Sequence, residues 1–169
     1  MTQDYTPAKV DAPIVVEGQN CWRVGDFYIT AQPTDTPGYG AAHGLGIRSF
    51  VCLRDASEPY NAPYLPFDPL EDMKLTALGM AFVNVPFPHA DFFSQEQFDL
   101  RAGVVLDALK ALPRPLLIHC SSGDRASALW AAHLIRDCGL TTGEAITYAT
   151  LSGLAVFKPY VENYTPPAG

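Results

Sequence analysis

The stretch Leu117-Ile118-His119-Cys120-Ser121-Ser122-Gly123-Asp124-Arg125-Ala126-Ser127 decides the fold. An apolar run ends in a histidine and a cysteine, and a short polar loop with one glycine follows. An arginine then opens a segment of helical periodicity, with Leu129, His133 and Leu134 on one side and Gly139 as its stop. Strand, loop and helix in that order make up half of a strand–helix–strand unit.

The same alternation extends upstream. Phe27–Ala31 reads as a strand stopped by Gln32-Pro33, and a weak, glycine-interrupted helix around residues 36–44 leads to a second strand, Ile47–Leu53. That strand has little polar face, which suits a central position in a sheet. A helix over 69–79 carries proline at its start and glycine at its end, and the strand Ala81–Val85 is closed by Pro86 and Pro88. Ser94-Gln95-Glu96-Gln97 has capping-box spacing and opens a helix whose face is lined by Phe98, Val105, Leu109 and Leu112. Pro113 and Pro115 end it before the strand Leu116–His119. Thr141-Thr142-Gly143-Glu144 is a second capping box, starting a last helix to about Ser152. This pattern predicts one α/β domain over residues 21–155, a mostly parallel central sheet flanked by helices. The proline-rich ends, 1–20 and 156–169, read as tails.

Composition narrows the function classes. The chain has 169 residues, enough for one domain with a substantial core. Its 48% apolar and 17% charged residues describe a folded chain. No apolar run is long enough for a membrane span, and the polar start lacks a signal core, so a soluble cytoplasmic protein is expected. A net charge of -7 argues against nucleic acid or an anionic membrane as partner. A local anion site remains compatible with it, because a few amides and one arginine outweigh a distant field. Cys21, Cys52, Cys120 and Cys138 form no CxxC pair, and His43, His89, His119 and His133 are scattered. Neither a metal site nor a disulfide framework is expected. Cys52 and Cys138 read as small buried hydrophobes and Cys21 as a spectator.

Cys120 is different. Successive parallel strands end at one sheet edge, where ligands of such folds bind. Gln32, Arg54, Asp55, His89, Asp91 and Cys120 therefore share one neighbourhood. A thiol attacks as the thiolate, which a helix N-terminus stabilises. Gly123 lets the loop curl so that its amides converge, and Arg125 adds a planar fork of donors suited to an oxyanion. The loop Ser121, Ser122, Gly123, Asp124 and Arg125 would hold a transferring phosphoryl group while Cys120 attacks it. Ser127 is placed to donate to substrate or thiolate, and His119 to orient the loop. Arg54 reads as one half of a structural ion pair with Asp55 or Glu58, and Gln32 as a turn residue at the rim.

His119-Cys120-x-x-Gly123 followed by an arginine and a serine resembles the signature of the cysteine-dependent protein tyrosine and dual-specificity phosphatases. Tyr28–Pro33 and Gly46–Arg54 resemble the first strands of that fold. The bacterial beta-lactamase-hydrolase-like, phosphatase-like family, also labelled a sulfurtransferase domain, is the nearest resemblance, over roughly residues 22–153. It implies a dual-specificity-phosphatase-like fold, Cys120 as a nucleophile forming a phosphocysteine, Arg125 as oxyanion clamp and no cofactor. The partner it implies is a phosphorylated small molecule or phosphoprotein. It also implies a carboxylic acid on the loop before the helix that precedes the cysteine strand. Asp91, 29 residues before Cys120, fits that place, with His89 and Asp55 as competitors.

The chain departs from that pattern in two ways. Tyrosine phosphatases place five residues between cysteine and arginine, whereas this chain has four, Ser121 to Asp124. The shorter loop is that of rhodanese-type sulfurtransferases, with Cys120 as persulfide carrier. A non-catalytic module binding an oxyanion or a phosphorylated partner is the third reading. In addition, Asp124 brings negative charge beside an anion site, unless its side chain turns away.

Overall fold

The structure is a computed structural model that describes residues 3–58, 63–87 and 93–167. Its described strands are β1 (Ala8–Lys9), β2 (Cys21–Val24), β3 (Phe27–Thr30), β4 (Ser49–Cys52), β5 (Ala81–Asn84) and β6 (Leu116–His119). The helices are α1 (Pro37–Gly44), α2 (Glu71–Ala77), α3 (Gln95–Leu109), α4 (Asp124–Arg136), α5 (Thr142–Leu151) and α6 (Lys158–Glu162). The sheet order is β1-β2-β3-β6-β4-β5. The first two pairings are antiparallel and the rest are parallel, as expected for a mostly parallel sheet.

Period-two alternation divides the sheet between two cores. Phe27, Ile29, Val51, Leu53, Leu116 and Ile118 face one side, packed with residues of α3, α4, α5 and α6. Tyr28, Phe50 and Leu117 face the other, with Tyr39 and Ala42 of α1 and Leu75 of α2. β6 lies between β3 and β4, and all four of its residues are buried. Burying both faces explains why this strand reads as an uninterrupted apolar run.

Both capping boxes form. Ser94 Oγ accepts from Gln97 N at 3.1 Å while Gln97 Oε1 accepts from Ser94 N at 2.9 Å. Thr141 and Glu144 reciprocate in the same way.

The ends differ from the tails read in the sequence. β1 pairs with β2, and Ile14 is fully buried. Phe157, Val161 and Tyr164, around α6, enter the larger core beside α3 and α4. Proline-rich composition signals irregular backbone, but it does not cancel the apolar area that aromatic residues bring. Among the described residues no helix is long and apolar enough to cross a membrane.

Candidate active site

The parallel register sets the site. Thr30 and Cys52 flank His119 on neighbouring strands, so the chain leaves β3, β6 and β4 at one level. Gln32 N donates to Ser121 O at 3.1 Å, tying the rim to the cysteine loop. Cys120 is fully buried. The Gly123 N–H donates to its Sγ at 3.1 Å. Gly123 is the N-cap of α4 with φ 97°, a left-handed conformation that strains any residue with a Cβ. The sulfur is thereby drawn to the start of α4, where first-turn amides carry the positive end of the helix dipole.

Arg125, the second residue of α4, is only 7% exposed. Its Nη1 donates to Glu58 Oε2 and to Phe87 O, each at 2.8 Å, and its Nη2 donates to Glu58 Oε1 at 3.2 Å. Burial opposes this charge, but Cys120 and Glu58 outweigh it and raise the guanidinium pKa further. Glu58 also accepts from Arg54 Nε, so one carboxylate bridges two buried arginines. Burial would push Glu58 up; Arg125 and then Arg54 hold it below its ordinary value. Arg54 reaches on to Gln32 Oε1 at 3.1 Å and Leu65 O at 2.6 Å. Of the two partners read for Arg54, Glu58 is the one it takes. Asp55 instead turns to Ser57 N and Oγ, both at 2.8 Å.

His119 is fully buried on the other side of β6. Its Nε2 lies 2.8 Å from Glu71 Oε1 and 3.1 Å from Oε2. Burial opposes its charge, yet Glu71 and then Cys52 raise its pKa well above 6.5. Tyr39 donates to Glu71 Oε1 at 3.1 Å, and Gln32 Nε2 reaches the same oxygen at 3.5 Å. Cys52, Glu71 and His119 place a thiol, a carboxylate and a ring nitrogen within 4.8 Å of one another. The ion pair already satisfies two of the three. The group acts as an anchor for the strand that carries Cys120.

The loop residues divide. Ser121 is partly exposed and Ser122 exposed, both beside the cysteine. The Asp124 carboxylate turns away from the site: its Oδ1 accepts from Ala155 N at 2.7 Å and its Oδ2 from Phe157 N at 3.2 Å. Asp124 therefore pins the turn between α5 and α6 and brings no carboxylate toward an oxyanion. Ser127 differs from its sequence reading as well. Its hydroxyl donates to Ser152 O at 2.9 Å and pairs with Ser152 Oγ at 3.0 Å. One helical turn past Gly123, it faces α5 and not the sulfur. Asp91 and His89 lie outside the described residues.

Sequence reasoning missed Glu58 and Glu71 as parts of the site. The Arg54–Glu58 pairing was legible, but nothing local showed that the same carboxylate also holds Arg125. Glu71 sits in the first turn of α2, where an acid reads as a solvated dipole partner. Beside the loop, a cavity of about 270 Å³ is lined by Gln32, Pro33, Tyr39, Leu65, Phe67 and Lys74, among others.

No protein-family model matches the sequence, and no curated protein matches it. Solved structures do match by shape. TpbA of P. aeruginosa, in a complex with pTyr, is 16% identical with a TM-score of 0.65, covering 99% of this chain and 93% of its own. Tk-PTP in its active form is 19% identical with a TM-score of 0.59, covering 82% and 88%. The core catalytic domain of the S. cerevisiae PP-IP phosphatase SIW14, in complex with citrate, is 18% identical with a TM-score of 0.57, covering 83% and 82%. The chain has the α/β fold of the tyrosine-phosphatase-like cysteine phosphatases.

Proposed function

We propose that the protein is a cysteine-dependent phosphatase that hydrolyses a phosphomonoester through a phosphocysteine on Cys120. The observation carrying this reading is the Cys120 sulfur at 3.1 Å from the Gly123 amide, at the start of a helix whose second residue is a buried arginine. Cys120 attacks phosphorus, the ester oxygen leaves, and water then cleaves the S–P bond to free the thiolate and release phosphate. Amides of Ser121, Ser122, Gly123, Asp124 and Arg125 hold the equatorial oxygens in this reading.

Arg125 contributes a specific set of donors. Glu58 and Phe87 O occupy both Nη1 hydrogens and one on Nη2. The side-on fork of Nε–H and the second Nη2–H is left for the phosphoryl oxygens. Asp91 supplies the leaving-group proton and later accepts one from water. In support, Phe87 O bonds Arg125, so the chain enters the segment carrying Asp91 from the site itself. His119 is a positioning residue, held by Glu71 behind the loop. The likeness in shape to phosphatases favours hydrolysis over sulfur transfer.

The test is turnover of an aryl phosphate by the reduced protein, beside thiocyanate formation from thiosulfate and cyanide. Phosphate release that is lost in Cys120→Ser and strongly reduced in Arg125→Lys supports the proposal. Thiocyanate formation without phosphate release overturns it.

A further inference from the structure

A second nucleophilic constellation lies at the far end of α4. Cys138 Sγ is 3.6 Å from His133 Nε2, and His133 Nδ1 is 3.1 Å from Asp137 Oδ2. A thiol, an imidazole and a carboxylate are thus joined in the order nucleophile, base, orienter. The sequence reading of Cys138 as a buried hydrophobe does not hold, because its residue is partly exposed, unlike Cys21 and Cys52.

The arrangement is fixed from several sides. The imidazole packs on Phe27 of β3, ring centroids 4.9 Å apart. Asp137, accepting at Nδ1, selects the tautomer whose Nε2 lone pair points to the sulfur. Burial holds His133 below its ordinary pKa despite Asp137, with Arg114 and Arg136 adding in the same direction, so at neutral pH the ring is a free base. The Asp137 carboxylate and the negative end of α4 both stabilise the imidazolium that forms when the ring takes a proton. Tyr5 lies at the same sulfur, its hydroxyl raised above the ordinary phenol value chiefly by a hydrogen bond with Cys138.

We propose that Cys138 is a second reactive thiol, a site for thiol–disulfide exchange with small disulfides, with His133 as its base and Asp137 orienting the imidazole. His133 Nε2 takes the Cys138 proton as Sγ attacks one sulfur of the disulfide. A new S–S bond to Cys138 forms as the old one breaks. The leaving thiolate takes the proton from His133. Cys138 is oxidised to the mixed disulfide while the other half of the reagent is reduced to a thiol, so no further oxidant is required. This site is independent of the reaction at Cys120.

The experiment uses the full chain with Cys120→Ser, which leaves Cys138 as the accessible thiol. Cys21 stays silent, since burial pushes its thiol up to about 12. Aromatic thiolate release from 5,5′-dithiobis(2-nitrobenzoate) gives the rate, and peptide mass mapping after oxidised glutathione gives the position. One equivalent is expected, on Cys138. Asp137→Asn and His133→Gln should each slow it at least about tenfold while thermal melting confirms the fold. Asp137 is the safer variant, because its carboxylate lies at the surface end of the helix. Modification elsewhere, or a folded Asp137→Asn protein reacting at the parental rate, overturns the proposal.

Discussion

Glu58 and Arg125 meet through two parallel hydrogen bonds, Nη1 to Oε2 at 2.8 Å and Nη2 to Oε1 at 3.2 Å, in a pair almost closed to solvent. The same carboxylate holds Arg54, so removing it leaves two buried guanidinium groups without their anion. Glu58→Gln is expected to cost about 3 kcal/mol of stability, since breaking a buried pair strands its partner. In the proposed mechanism it also loosens the fork that Arg125 would offer the phosphoryl group, so kcat/KM should fall by on the order of tenfold to a hundredfold. Inorganic phosphate should stabilise this variant against heat more than it stabilises the parent. Melting curves with and without phosphate check the point; equal shifts would separate Glu58 from the anion site.

His119 gives a pH signature. Its folded pKa is raised well above 6.5 by Glu71. A raised pKa means that the protonated ring stabilises the fold fully below about 6.5, and that this stabilisation is lost as pH rises through the folded value. Thermal stability should therefore decline from neutral into alkaline pH. In Glu71→Gln that decline should shrink, because burial then opposes the charged ring with only Cys52 left to favour it. Parallel pH–melting series on both proteins decide the matter; superimposable slopes would contradict the ion pair.

Asp124 fastens α4 to the chain between α5 and α6. Asp124→Ala should cost about 1–3 kcal/mol by leaving amides of residues 155 and 157 unpaired. Hydrogen exchange at Ala155 and Phe157 should accelerate while exchange within β6 stays slow. Unaltered exchange at those two amides would show that the carboxylate does not hold the turn.

Gly123 combines a left-handed backbone with the amide that reaches Cys120. A Cβ there would find space, its nearest neighbours being Ala31 N and Thr30 C at 3.6 Å. The cost of Gly123→Ala is therefore in the backbone, about 1–2 kcal/mol. Relaxing that strain moves the N–H away from the sulfur, and turnover should fall by on the order of a hundredfold, as when one oxyanion donor is lost. Steady-state kinetics beside a melting curve separate the two effects.

Much of this arrangement was legible in the sequence, for physical reasons. β6 announces itself because a strand buried on both faces must be apolar throughout, and α3 and α5 because capping boxes are local. Cys120, Gly123 and Arg125 fall together because their contacts span only a few residues. Glu58 and Glu71 were hidden because their partners, Arg125 and His119, lie 67 and 48 residues away. The direction of the Asp124 and Ser127 side chains depended on α6 and Ser152, which only packing brings near. The two ends were misread as tails because β1 owes its existence to β2 and α6 to the aromatic core.

The proposed phosphatase reaction turns on covalent chemistry at Cys120. The direct measurement is acid quenching of the protein during aryl phosphate turnover, followed by mass spectrometry of its peptides. One phosphate is expected on Cys120, absent in Cys120→Ser, whose turnover is lost. Sustained phosphate release by Cys120→Ser, or turnover by the parent with no phosphate ever found on Cys120, would contradict it.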